Sequence, residues 1–301
     1  MFPILSGNVA SATAVSGNSE GLFGFGYAAL PTGYTAMTNK VSDAGVVASD
    51  TAGVGTVRNN LAACEYGDDK AIFGYGYNYA SMSNKVSNAG VVASDTAGVG
   101  TGRHHLAACS YGGDKGIFGY GNPTSYTAVT NKVSNAGVVA SDTAGVGTAR
   151  RYLAACEYGD DTAIFGFGND SNFLAVTNLV SNAGVVADDT AGVGTIRDAL
   201  AACDYDGDKG IFAYGVDAGG NLSMSNKVSN AGVVADDVTG VGSGRSYIAA
   251  TQYDGDKGIF GFGYTSSYVG LTNLVSDTGV IADDVSAVGT GRAGAAACSF
   301  N

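Results

Sequence analysis

A unit of about 47 residues recurring six times, four short strand-like runs inside each unit, and a chain that starts one run into the first unit and ends with the missing run predict an all-β fold. The predicted architecture is a six-bladed β-propeller, four antiparallel strands per repeat, with the C-terminal strand completing the first blade and closing the ring. The segment Ser87-Asn88-Ala89-Gly90-Val91-Val92-Ala93-Ser94-Asp95 returns with few changes at 42–50, 134–142, 181–189, 229–237 and 276–284, at steps of 45, 47, 47, 48 and 47 residues. A linear solenoid would need atypical polar repeats at both ends, and none is present.

Within one unit the first strand is predicted at 61–66, closed by the turn Gly67-Asp68-Asp69. The second, 70–76, alternates Phe73 and Tyr75 on one face with Ile72, Gly74 and Gly76 on the other, the period of a strand. The third spans 81–87, turns at Asn88-Ala89-Gly90, and continues as the fourth over 91–96 before the connection 97–103. The chain divides into an N-terminal arm or attachment segment, 1–20, and the propeller, 21–301. Residues 9–15 also read as a degenerate first strand. The C-terminal run 294–300 is preferred for that slot because Arg292, Ala296, Ala297 and Cys298 keep the repeat register.

Composition excludes several functions. With 15 Lys and Arg against 27 Asp and Glu, the net charge of −12 repels nucleic-acid phosphates and anionic lipid. No run approaches 18 apolar residues, so membrane insertion is not expected, and the start of the chain lacks the basic and apolar regions of a secretory signal. Of 301 residues 48 are glycine without a collagen period, which points to tight turns and closely packed strands.

The frame Arg103-x-x-Leu106-Ala107-Ala108-x-x-Tyr111-Gly112-Gly113-Asp114-Lys115-Gly116-Ile117-Phe118-Gly119-Tyr120-Gly121 resembles the kelch-type propeller repeat, with the glycine pair spread to Gly-Tyr-Gly and the kelch tryptophan absent. The resemblance covers residues 21–301 and implies the fold rather than an activity. The repeats are also similar to glycine-rich "DKxIFGYG" repeats of tailed-phage virion and tail proteins, which implies a virion or surface role.

Comparison among the six units separates architecture from variation. The Asp-x7-Arg spacing recurs as Asp50/Arg58, Asp95/Arg103, Asp142/Arg150, Asp189/Arg197, Asp237/Arg245 and Asp284/Arg292, and is assigned to structural pairing within blades in preference to an axial anion site. The Gly-Asp-Asp and Asn-Ala-Gly turns belong on one face. The loop after the second strand and the connection belong on the other, where nearly all variation falls. Candidate ligand-binding residues there are Tyr34, Tyr79, Tyr126, Phe173 and Tyr268 from the loops, and Asn59, His104, His105, Tyr152 and Tyr247 from the connections. Exposed tyrosine beside amides and hydroxyls suits a glycan or a protein surface.

Enzymatic chemistry is not expected. Cys64, Cys109, Cys156, Cys203 and Cys298 share one repeat position, with Thr251 in the sixth, and are read as small reduced core residues too far apart for bridges. The only histidines are adjacent, so no metal site and no cofactor is expected, apart from incidental calcium at the Asp-rich turns. The expected function is a non-enzymatic adhesion module on a phage particle, tail-associated and present in several copies. It would dock to other virion proteins through the arm or the uniform turn face, and recognise a host-surface glycan or protein through the variable face. Its expected location is the virion, or outside the cell after lysis. The alternatives are a cytoplasmic protein-interaction scaffold and, third, a lectin or glycan-acting enzyme.

Overall fold

The structure, a computed structural model, describes residues 18–31, 33–286 and 288–301. It is all-β: five three-stranded antiparallel sheets, one four-stranded sheet and a two-residue hairpin, Val216–Asp217 with Gly220–Asn221. In each three-stranded sheet an inner strand pairs with a middle strand, which pairs with an outer one. The inner strands are Ala62–Tyr66, Ala107–Tyr111, Ala154–Tyr158, Ala201–Tyr205 and Ala249–Tyr253 (sheets 2 to 6). In sheet 1 the inner strand is Ala296–Phe300, antiparallel to Glu20–Ala28 with Gly21 opposite Ser299 and Leu22 opposite Cys298. The C-terminal run therefore takes the slot expected of it. Residues 9–15 lie outside the described residues, as does all of the expected arm before Asn18.

Only three of the four expected strands form. The run 91–96 touches the outer strand through single bridges, Val86 to Val92 and Ser83 to Thr96, and the same two bridges recur in the other sheets. Between them the buried Asn84 side chain bonds the Ala93 carbonyl at 3.0 Å and Asp95 at 2.8 Å, so side-chain bonds interrupt and supplement the few backbone bonds, such as Ala93 N to Lys85 O at 2.8 Å. The rest of that run is solvent-exposed.

The middle strand also departs from the expected alternation. It ends at Gly74, and Tyr75 adopts φ 64°, as Phe25, Tyr120, Phe167, Tyr214 and Phe262 do at 62–64°. A non-glycine residue in the left-handed region turns its side chain off the pleat. Phe73 consequently packs on Phe25 of the preceding sheet, at 5.2 Å between ring centres, while Tyr75 packs on Phe118 of the following sheet, also at 5.2 Å. Both faces are buried and link neighbouring sheets. Glycine at position 74 leaves room for the Phe118 ring, since a Cβ there would lie 2.7 Å from it and the ring would have to shift, as beside Ala213 of sheet 5, where Tyr214 and Phe260 stand 5.4 Å apart. The six phenylalanines Phe23, Phe73, Phe118, Phe165, Phe212 and Phe260 are fully buried, each stabilising by about 1.5–3 kcal/mol.

The recurring arginines lie between sheets and not on an axis. Arg58 stacks on Phe25 of sheet 1 (4.4 Å to the ring centre) and donates Nε to the Tyr75 carbonyl, Nη1 to the Thr56 carbonyl and Nη2 to Asn84 Oδ1. Its nearest carboxylate is Asp95 at 3.8 Å, not Asp50 eight residues before it. Asp50 instead faces Arg292 at 3.9 Å. Arg197 likewise meets Asp237, and Arg245 meets Asp284. The expected Asp-x7-Arg pairs are thus corrected: the eight-residue step is the crossing from the outer edge of one sheet to the inner strand of the next, and Arg58, Arg197, Arg245 and Arg292 each pair with the Asp that ends their own sheet, while Arg103 and Arg150 come within 4.0 Å of no carboxylate among the described residues. Burial draws the Arg58 guanidinium down to about 10, still protonated at neutral pH. For Asp95 burial acts upward, but bonds from Thr56 and Asn84, with Arg58 nearby, hold the carboxyl below its usual range.

Neighbouring sheets are joined in cyclic order. Each inner strand packs against the next, and Ala296–Phe300 packs against both Ala249–Tyr253 and Ala62–Tyr66. Backbone bonds of 2.7–2.9 Å run from His105 N to Asn60 O, Tyr152 to His105, Ala199 to Tyr152, Tyr247 to Ala199, Gly294 to Tyr247 and Asn60 to Gly294, a closed cycle of six. All six residues have φ between 51° and 61°. The turn residues are linked likewise, from Gly67 N to Asp114 O through to Asn301 N to Asp69 O.

Candidate functional site

The two ends of the inner strands differ in chemistry. At one end the turns meet: Asn88 Nδ2 bonds Asp69 Oδ2 at 3.2 Å, with the same contact at Asn135/Asp114, Asn182/Asp161 and Asn230/Asp208. At the other, the connection bridges the loop after the middle strand, His104 with Asn122, Arg151 with Asn169, Asp198 with Val216 and Ser246 with Tyr264. The two classes of turn and the two classes of variable segment separate as strand parity requires.

On the variable side, the cycle of six residues forms the floor of a mouth. A cavity of about 280 Å³ opens there, lined by Asn59, Asn60, His105, Tyr152 and Tyr247 from the connections and by Tyr27, Tyr264 and Tyr268 from the loops. It is slightly smaller than the roughly 300–1,000 Å³ of typical ligand pockets. The left-handed backbone at each floor position turns the following residue (Leu61, Leu106, Leu153, Leu200, Ile248 and Ala295) inward to line the layer below.

Aromatic contacts form an open chain along this mouth, from Tyr264 to Tyr247. Tyr264 meets Tyr268 at 5.4 Å, Tyr268 meets Tyr27 at 5.5 Å, and Tyr27 meets Tyr34 at 4.9 Å. Tyr34 stacks on Tyr77 at 4.9 Å with the rings 20° apart, and Tyr77 and Tyr79 approach His104. His105 then leads to Tyr152 at 3.9 Å and Tyr247 at 5.5 Å from Tyr152. Arg151 lies over Tyr152 and Tyr126.

Of the ten residues picked from sequence, the network gathers Tyr34, Tyr79, Tyr126, Tyr268, His104, His105, Tyr152 and Tyr247, and Asn59 lines the cavity. Phe173 stands apart: it begins the outer strand Phe173–Val180, opposite Asn169, and joins none of these contacts. Sequence reasoning missed Tyr27, Tyr77, Tyr264, Asn60 and Arg151. A signal existed, because the position after the recurring aromatic-Gly pair reads Tyr27, Tyr77, Asn122, Asn169, Val216 and Tyr264, aromatic in sheets 1, 2 and 6 only.

Electrostatics at the mouth favour neutral hydrogen bonding. His104 Nδ1 and His105 Nδ1 are 2.7 Å apart, one donating and the other accepting. Burial, reinforced by Arg151, holds both imidazoles below their usual value and uncharged at neutral pH. Asp198, 7% exposed, is lifted by burial to about 6 against the pull of Arg151. Tyr77 beside it pushes the Tyr34 hydroxyl up to about 12. Asn59 Oδ1 and Arg151 Nε are buried without a hydrogen-bond partner among the described residues.

The cysteines lie buried and unbridged between sheets, and burial pushes their thiols far up. The Asp206–Asp208 segment is a hairpin turn, with Lys209 paired to Asp206. Among the described residues no helix is long and apolar enough to cross a membrane. Neither the family models nor the curated proteins match this chain.

Proposed function

We propose that the six sheets are the blades of a closed six-bladed propeller whose variable end binds a glycan or a glycan-bearing receptor without chemical turnover. Three features support ring closure: the cyclic order of inner strands, the six-membered cycle of backbone bonds, and the pairing of Ala296–Phe300 with Glu20–Ala28. The recognition reading rests on one observation. An unvarying frame carries, at one end only, a cavity walled by tyrosines and amides, with the Asn59 oxygen beside it still lacking a partner. Sugar rings present apolar faces that stack on tyrosine and hydroxyls that bond amides and imidazoles, and tyrosine supplies contact area at low entropic cost.

In the fuller reading the protein is a tail-associated virion component with kelch-like blades, held to the particle at the turn end. Asn18, the first described residue, bonds Ser299 and supplies a carbonyl to Gly255, which puts it at the turn end of the sheets. The test has two parts. A glycan array is probed with wild type and a Tyr27→Ala/Tyr268→Ala variant: binding lost in the variant is expected, and no binding by either protein overturns glycan recognition. Mass spectrometry of purified phage particles checks the virion assignment, which fails if the protein fractionates only with cell extract.

A further inference from the structure

The turn end of the inner strands holds a second ring of side chains that recognition at the mouth does not use. One position before the strand-ending aromatic, the six sheets carry Glu65, Ser110, Glu157, Asp204, Gln252 and Ser299. All but Ser299 line a cavity of about 50 Å³ floored by the Ala63-type positions. The ring is used unevenly. Glu65 is satisfied by its neighbours, accepting from Ser110 Oγ at 3.3 Å, from the Ser299 amide at 3.2 Å and from Ser299 Oγ. Across from it, Glu157, Asp204 and Gln252 on three successive sheets make no side-chain hydrogen bond among the described residues. Gln252 is only 7% exposed and lines the same cavity.

The half-buried Glu157 and Asp204 carboxyls and the buried Gln252 side chain thus face a cavity lined by no Lys, Arg or His with no side-chain partner of their own, a setting that suits a cation. Burial and repulsion from Glu65 and Asp204 hold the Glu157 carboxyl well above its usual range, and burial with Glu65 lifts Asp204 to about 7. A metal ion is disfavoured: among the described residues no three carboxyl, thiol or imidazole groups converge closely enough to share one. A guanidinium meets the same demand differently, because its five N–H donors form a planar fork that reaches acceptors set apart from one another.

We propose that the Glu157–Asp204–Gln252 arc binds a guanidinium group entering from the turn end, carried by a free small molecule or by an arginine side chain. Paired N–H donors meet the two carboxylates, and the Gln252 amide oxygen accepts a further one.

Isothermal titration calorimetry on the full chain, at low salt and pH 7.5, tests this with methylguanidinium and with a Gly-Arg-Gly peptide, using methylammonium and Ca²⁺ as comparators. Saturable binding of a guanidinium probe, weakened at least tenfold in Asp204→Asn and in Glu157→Gln, is expected, with circular dichroism confirming that both variants fold. Peptide binding tenfold tighter than methylguanidinium assigns the source to an arginine side chain, and equal or weaker binding assigns it to a free cation. Absence of saturable heat with both guanidinium probes, unchanged affinity in the two variants, or equal affinity for methylammonium or Ca²⁺ overturns the proposal.

Discussion

Replacing Asn84 by alanine tests whether the buried polar clamp, and not aromatic packing alone, holds each sheet to its outer run. Asn84 is fully buried and makes three bonds: it accepts from Arg58 Nη2 at 2.6 Å and donates to Asp95 Oδ1 at 2.8 Å and to the Ala93 carbonyl at 3.0 Å. Two involve charged partners, worth roughly 1.5–3 kcal/mol each, and one is neutral, worth about 1 kcal/mol. Arg58 keeps its Nε and Nη1 partners and Asp95 keeps Thr56, which limits the loss. The expected destabilisation is about 4 kcal/mol. At roughly 2 °C per kcal/mol for a chain of this size, Tm falls by about 8 °C. Urea unfolding followed by tyrosine fluorescence is the assay, since the 17 tyrosines report without tryptophan. Asn88→Ala is the control, because Asn88 makes its 3.2 Å bond to Asp69 in solvent and should change stability by less than about 0.5 kcal/mol. An Asn84→Ala protein within 1 kcal/mol of wild type, or an Asn88→Ala protein equally damaged, refutes the clamp.

Stability should peak in mildly acidic solution. The lowered carboxyls Asp50, Asp95, Asp142, Asp189, Asp237 and Asp284 contribute stability that is present above about 3.8 and lost as pH falls further, whereas the raised Asp204 contributes stability that is lost as pH rises through about 7. Urea midpoints between pH 3 and pH 9 should therefore trace a maximum between these limits, and Asp204→Asn should flatten the alkaline side; a variant whose alkaline loss equals wild type contradicts the assignment. Gly74→Ala should cost only about 1 kcal/mol, at the low end for overpacking, because sheet 5 naturally carries Ala213 there and its Tyr214–Phe260 rings stand 5.4 Å apart where glycine-bearing sheets give 5.1–5.2 Å. Gly74→Val should cost several times more in the same urea assay, and equal costs would show that the Phe118 ring does not set the limit. Deleting residues 295–301 removes the inner strand of sheet 1, and calorimetry should then show loss of the single cooperative transition; an unchanged Tm would mean that closure adds no stability.

Much of the fold was legible because the repeat supplies six readings of each position. Strand parity assigned the turns and loops to opposite ends correctly, since alternation of direction depends only on counting strands. Three features were not legible. The fourth strand reads like any exposed Val-rich run, and only the side chain of Asn84, inserted where a ladder would run, shows why it forms single bridges. Tyr75 fits a period of two in sequence, whereas its φ of 64° depends on the neighbouring sheet supplying Phe118 and Arg103 to receive the ring. The Arg58 partner was misassigned because proximity along the chain favoured Asp50, while the chain crosses between sheets in just that interval. At the mouth, variability marked the right segments but not the side chains that face inward, which is why Tyr27 and Tyr264 were missed and Phe173 was included.

The sequence by itself determined the repeat, the all-β class, the segregation of variable segments and the strand at 294–300 that completes the first unit, because these follow from periodicity and hydrogen-bonding parity. Only the tertiary structure decided which residues become neighbours between sheets. It set the arginines on the aromatics of the preceding sheet, drew six connection residues into one cycle of backbone bonds, and left Glu157, Asp204 and Gln252 together without partners. Such contacts join positions one repeat or more apart, and their energies depend on how neighbouring sheets pack against one another, a geometry that no local pattern encodes.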